Sequence, residues 1–176
     1  MAVPINARYK APELAYVLDN ADIDLLVTHN AISEYANFGQ LIDDALVENT
    51  SQRLKHLVMI GTKRKGFISD EEFLIKGKTV DTKIVDEMRS QVSLRNPAIM
   101  MYTSGTTANP KGCPLNHEVL VRNGVNMNES RYFLDESDRF WAPLPMFHMA
   151  SILPYTLKLM RVIHLNKLDI LAKSKV

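Results

Sequence analysis

The sequence predicts an α/β fold. Short apolar runs of strand length alternate with segments whose apolar residues recur at helical spacing, and one such run passes straight into a loop rich in Ser, Thr and Gly. The 176 residues are 46% hydrophobic and 23% charged, ordinary values for one domain with a sizeable core.

Each element has its own signal. Pro12 suits a first helical position, and Leu14, Val17 and Leu18 fall on one helical face. Residues 23–28 read as a buried strand. Ile32, Tyr35, Ile42 and Leu46 predict a helix with Gly39 weakening its middle. Residues 57–60 form a second strand closed by Gly61. Lys63, Arg64 and Lys65 between Gly61 and Gly66 read as a solvated turn in preference to a basic patch. Residues 69–94 are polar with scattered apolar positions and hold one or two short helices. Residues 98–102 form a strongly apolar third strand, and the loop follows at once. Beyond it Asn116 caps a helix running to about Asn128, with Glu118 in its positive first turn and Leu120, Val121, Val125 and Met127 apolar. Residues 140–142 suggest another strand, 143–148 a turn, 152–159 a helix and 162–165 a last strand.

Composition narrows the function. A net charge of +1 gives no overall field for nucleic acid or an anionic membrane. No apolar run approaches the roughly 20 residues that span a bilayer, and the N-terminus has no signal-peptide pattern. A single cysteine, Cys113, rules out a disulfide framework within the chain and fits a reducing compartment such as the cytoplasm. Ser174-Lys175-Val176 departs from a peroxisomal address at its last residue. The histidines have no partners at zinc spacing, and Asp19, Asp22 and Asp24 lack the glycine and distal glutamate of a calcium loop.

The loop Tyr102-Thr103-Ser104-Gly105-Thr106-Thr107-Ala108-Asn109-Pro110-Lys111-Gly112 carries the chemistry. Gly105 and Gly112 let the backbone bend and approach a ligand. Successive N–H groups along such a loop form an anion-binding concavity. Thr103, Ser104, Thr106 and Thr107 add hydroxyl donors, and Lys111 adds a positive charge. A plain surface turn is the bland alternative; hydroxyl residues clustered beside a lysine, between strand and helix, argue against it. A Walker loop fails as well. Counting from Gly105, its second glycine position holds Pro110, which has no N–H, and its Mg²⁺-ligating hydroxyl position holds Gly112.

These residues resemble the signature Tyr-Thr-Ser-Gly-Thr-Thr-Gly-x-Pro-Lys-Gly of the adenylate-forming (AMP-binding) superfamily, with acyl-CoA synthetases the nearest subgroup. Ala108 stands where that signature has glycine. Pro143-Leu144-Pro145-Met146-Phe147-His148 is similar to the family's Pro-Leu-Phe-His segment, and residues 3–9 resemble a segment ahead of its first Glu-Leu helix, with Pro4 and Asn6 structural. The resemblance implies that the chain is part of the family's large N-terminal domain, a mainly parallel sheet flanked by helices. It implies that Thr103, Ser104, Gly105, Thr106, Thr107, Lys111 and Gly112 bind the ATP phosphates. It places His148 beside the acyl pocket, where the residue by itself would read as a structural histidine.

The implied reaction is carboxylate–CoA ligation, with ATP and CoA as co-substrates, a carboxylic acid as the third, and Mg²⁺. The family's Tyr-Gly-x-Thr-Glu and Tyr-x-Thr-Gly-Asp segments and its C-terminal lysine-bearing domain have no counterpart in residues 1–176. The expectation is therefore an incomplete ligase. The alternative is a truncated, non-catalytic module that binds nucleotide or a partner.

Overall fold

Helix α1 (Ala11–Asn20) forms where Pro12 sets the first turn and Glu13 reaches back to the Lys10 N–H at 2.9 Å. Its core face is the one the spacing predicts: Leu14, Val17 and Leu18 are buried. The computed structural model describes residues 1–32, 34–48, 53–103, 109–135, 137–139 and 144–152, arranged as two compact units. The predicted strands at 140–142 and 162–165, and residues 153–159 of the predicted helix, lie outside the described residues.

The larger unit comprises Ile5–Val92 and Tyr102–Gly112. After α1, Asp22 takes a left-handed φ of 50° and the Ile23 N–H returns to the Leu18 carbonyl at 3.2 Å. The helix end thereby consumes residue 23, and strand β1 (Leu25–His29) starts two residues later than the apolar run suggested. Helix α2 spans Phe38–Glu48, shorter than predicted. The Asn37 side chain accepts from the Gln40 N–H at 3.0 Å and so caps it. Ile32 and Tyr35 fall in a preceding turn, with Tyr35 almost wholly exposed.

Strand β2 (His56–Ile60) pairs in parallel with β1, Leu25 opposite His56 through His29 opposite Ile60. A two-residue strand, β3 (Ile68–Ser69), pairs in parallel with β2 and gives the order β1-β2-β3. Two residues are too short for a periodic signal, so the sequence did not reveal it. Leu14, Ala15 and Leu18 of α1 with Ile42 and Ala45 of α2 form the core, against which Leu26, Leu57 and Phe67 pack. The α/β expectation with a parallel sheet holds.

The polar stretch resolves into α3 (Asp70–Lys78) and α4 (Thr82–Ser90). Ser69 and Glu72 form a reciprocal capping box, and the Asp81 side chain caps α4 through the Lys83 N–H. Neither helix buries a side chain; Leu74, Ile84 and Met88 are largely exposed. The basic triplet is a turn, as expected, although Arg64 is only partly exposed. It is half-buried, pairs with Asp43 of α2 and lies over the Phe67 ring. Gly39 makes the space, because a Cβ there would stand 2.7 Å from the Arg64 Nε. That glycine sits in the first turn of α2, not in its middle.

The second unit comprises Met1–Pro4, Ser93–Met101 and the described residues from Cys113 on. Strand β4 (Pro97–Thr103) alternates in burial, with Ile99 and Met101 buried. Its Ala98 carbonyl and Met100 N–H bond to Ala2 at 2.9 and 2.8 Å. Strand β5 (Lys111–Asn116) is β4's partner in a two-stranded sheet. This corrects the expectation that a helix follows the loop directly. Gly112 and Pro114 disguise β5, since both are poor strand formers. Helix α5 (His117–Met127) then begins where predicted, with the Asn116 side chain accepting from the Val119 N–H at 2.9 Å. Gly124 is buried, whereas Val125, predicted apolar, is exposed. A π-helical turn, Asn128–Tyr132, ends at Phe133 with a φ of 50°.

Candidate functional site

Alternation along β4 sends Ile99 and Met101 to one side and Tyr102 to the other. Thr103 ends the strand exposed, and on the far side of the loop Pro110 is buried, Lys111 exposed and Gly112 half-buried. Thr103, Lys111 and Gly112 share the larger unit. Ser104, Gly105, Thr106, Thr107 and Ala108 lie outside the described residues. Because β5 intervenes, α5 begins beyond the loop.

The base of the loop has one feature that the sequence did not disclose. The Tyr102 hydroxyl donates to Asn20 Oδ1 at 2.7 Å, across 82 positions of chain. Burial, then the neighbouring Tyr16 and Tyr9, push the Tyr102 phenol up to about 12. Tyr9 is raised as well, by burial and by Glu13. No local pattern links Tyr102 to Asn20, so periodicity and motif spacing had no access to the pair.

His148 belongs to the second unit. Its N–H donates to the Pro145 carbonyl at 3.0 Å, and its own carbonyl accepts from Ser151 at 2.9 Å, opening a helical turn at 149–152. The imidazole is exposed and tilted against Phe147, with ring centroids 4.6 Å apart. The described part of the predicted turn, 144–148, is a turn, stabilised by buried Ser151, whose hydroxyl donates to the Leu144 carbonyl at 2.7 Å. Asn6 is structural, as expected: its side chain accepts from the Arg8 N–H at 3.0 Å. Among the described residues, no three His, Cys, Asp or Glu side chains come together as a metal-binding set, and no helix is long and apolar enough to cross a membrane.

Residues 1–164 match the model of the AMP-binding enzyme family. The chain belongs to that family. Among its relatives is YngI of Bacillus subtilis, a candidate acyl-CoA synthetase, 32% identical over 83% of this chain and 28% of its own length. The long-chain-fatty-acid–CoA ligase FadD13 of Mycobacterium tuberculosis is 26% identical over the whole chain and 31% of its own length. The AMP-binding fold is also seen in solved structures. The anthranilate CoA ligase AuaEII, in complex with anthranoyl-AMP, superposes with a TM-score of 0.65 at 23% identity, covering 94% of this chain and 30% of that one. The structure of a candidate long-chain-fatty-acid CoA ligase from Rhodopseudomonas palustris gives a TM-score of 0.68 at 19% identity, covering 92% and 36%. The chain thus spans less than a third of the length of either of these two curated relatives.

Proposed function

We propose that this chain supplies the ATP-phosphate loop of a carboxylate–CoA ligase and forms part of that enzyme's N-terminal domain. The observation that carries the reading is the Tyr102–Gly112 motif at the end of a strand, within a chain matched over residues 1–164 by the AMP-binding family. In this reading Thr103, Ser104, Thr106 and Thr107 donate hydroxyl hydrogen bonds to the phosphates. Gly105 and Gly112 let the backbone approach them, and Lys111 offsets their charge. His148 borders the acyl pocket.

A carboxylate oxygen of the acid attacks the α-phosphorus of ATP. The bond to the bridging oxygen breaks, and pyrophosphate leaves with its electron pair. The CoA thiol then attacks the acyl carbonyl and AMP departs. Positioning and charge neutralisation carry most of such a reaction, and both are what a donor-lined loop beside a lysine provides. Mg²⁺ enters as part of the substrate MgATP. The cytoplasm is the proposed compartment, in keeping with a single cysteine that is exposed.

The test is binding followed by turnover. ATP and pyrophosphate should raise the melting temperature of the chain. Lys111→Ala and Thr106→Ala should weaken that effect without unfolding the protein. Unchanged titrations in both variants remove the phosphate assignment. Acid-dependent ATP–pyrophosphate exchange distinguishes a working ligase from a module that binds nucleotide without turnover.

A further inference from the structure

The Tyr102 side chain is the point at which the stem of the loop is fixed to a rigid element. Asn20 is the last residue of α1, and that helix is held by Val17 and Leu18, both fully buried. Its end is closed by the Ala21 N–H on the Val17 carbonyl at 3.0 Å and the Ile23 N–H on the Leu18 carbonyl at 3.2 Å. The Asn20 backbone is therefore anchored at the end of a packed helix. Tyr102 immediately precedes Thr103, the first hydroxyl residue of the loop. We propose that the hydrogen bond from the Tyr102 hydroxyl to Asn20 is a latch that fixes the end of β4 at Thr103, the first hydroxyl residue of the motif, making Tyr102 and Asn20 positioning residues for ATP. This rests on the loop binding phosphate, as proposed above.

Three physical points support the latch. A loop that presents donors to an anion binds well only when its donors are held in place before the ligand arrives, because ordering them on binding subtracts from affinity. The 2.7 Å separation is that of a well-formed O–H···O bond. The phenol, pushed up to about 12 by burial and by Tyr16 and Tyr9, keeps its donating proton throughout the physiological range. The tie also fits the way the chain divides: Tyr102–Gly112 groups with the unit that contains α1.

The test is a double-mutant cycle on MgATP and pyrophosphate affinity, measured by calorimetric titration of the full chain well below its melting temperature. Tyr102→Phe removes the hydroxyl and keeps the ring; Asn20→Leu removes the acceptor at similar volume. Each should weaken binding roughly three- to tenfold, the scale of one lost hydrogen bond. The double variant should bind no worse than either single one, since both remove the same bond. A residue that only stabilises the fold would lower the melting temperature and leave the affinity of the folded protein unchanged. Unchanged affinity in the variants, or losses that add in the double variant, overturns the latch while wild-type binding keeps the phosphate reading. A wild-type chain that binds neither ligand overturns both.

Discussion

Gly61→Ala tests how the ends of β1 and β2 are tied together. Gly61 closes β2 with a φ of +108°, a region that L side chains rarely adopt. A Cβ built there would lie 2.1 Å from the Asn30 Oδ1. That oxygen is in use: it accepts from the Thr62 N–H at 3.3 Å, while the Asn30 amide nitrogen donates to the Thr62 hydroxyl. Two costs arise together. Backbone strain is on the order of 1–3 kcal/mol, and the displaced amide loses hydrogen bonds worth about 1 kcal/mol. The sum is roughly 2–4 kcal/mol, or a fall of about 4–16 °C in melting temperature for a chain of this size. Thermal unfolding followed by circular dichroism and calorimetry reads the shift. Asn30→Ala removes the colliding atom, so in that background Gly61→Ala should cost only the strain. A Gly61→Ala protein within about 0.5 kcal/mol of wild type refutes the strain argument. An equal cost in both backgrounds refutes the collision.

Ser69→Ala should destabilise the larger unit by about 1 kcal/mol, because it removes the oxygen that receives the Glu72 N–H; urea unfolding measures this. Ile84→Lys with Met88→Lys should reduce concentration-dependent association in light scattering and change stability by less than about 0.5 kcal/mol, because both side chains are largely exposed on α4. Tyr102 should be a late-titrating tyrosine in absorbance titration, near pH 12 in place of 10, and Tyr102→Phe should remove that step. Since its folded-state value is raised, the stability it contributes is fully present below pH 10 and is lost as pH rises toward 12. The stability difference between wild type and Tyr102→Phe should shrink in that window.

The sequence by itself determined the α/β class, the buried face of α1, the start of α5 at Asn116 and, through the Tyr102–Gly112 motif, the AMP-binding family. These rest on local information. Helical spacing selects Leu14, Val17 and Leu18; a cap needs its acceptor only three residues from the N–H it receives; and the family motif is one continuous stretch. Tertiary structure decided what depends on distant partners. It placed Arg64 against Gly39 and Asp43, added β3 as a two-residue strand beside β2, and revealed β5 as the partner of β4 despite Gly112 and Pro114. It also brought Asn20 to Tyr102. A hydrogen bond across 82 positions leaves no periodic trace, because its energy depends on where two backbones meet and not on the residues flanking either one.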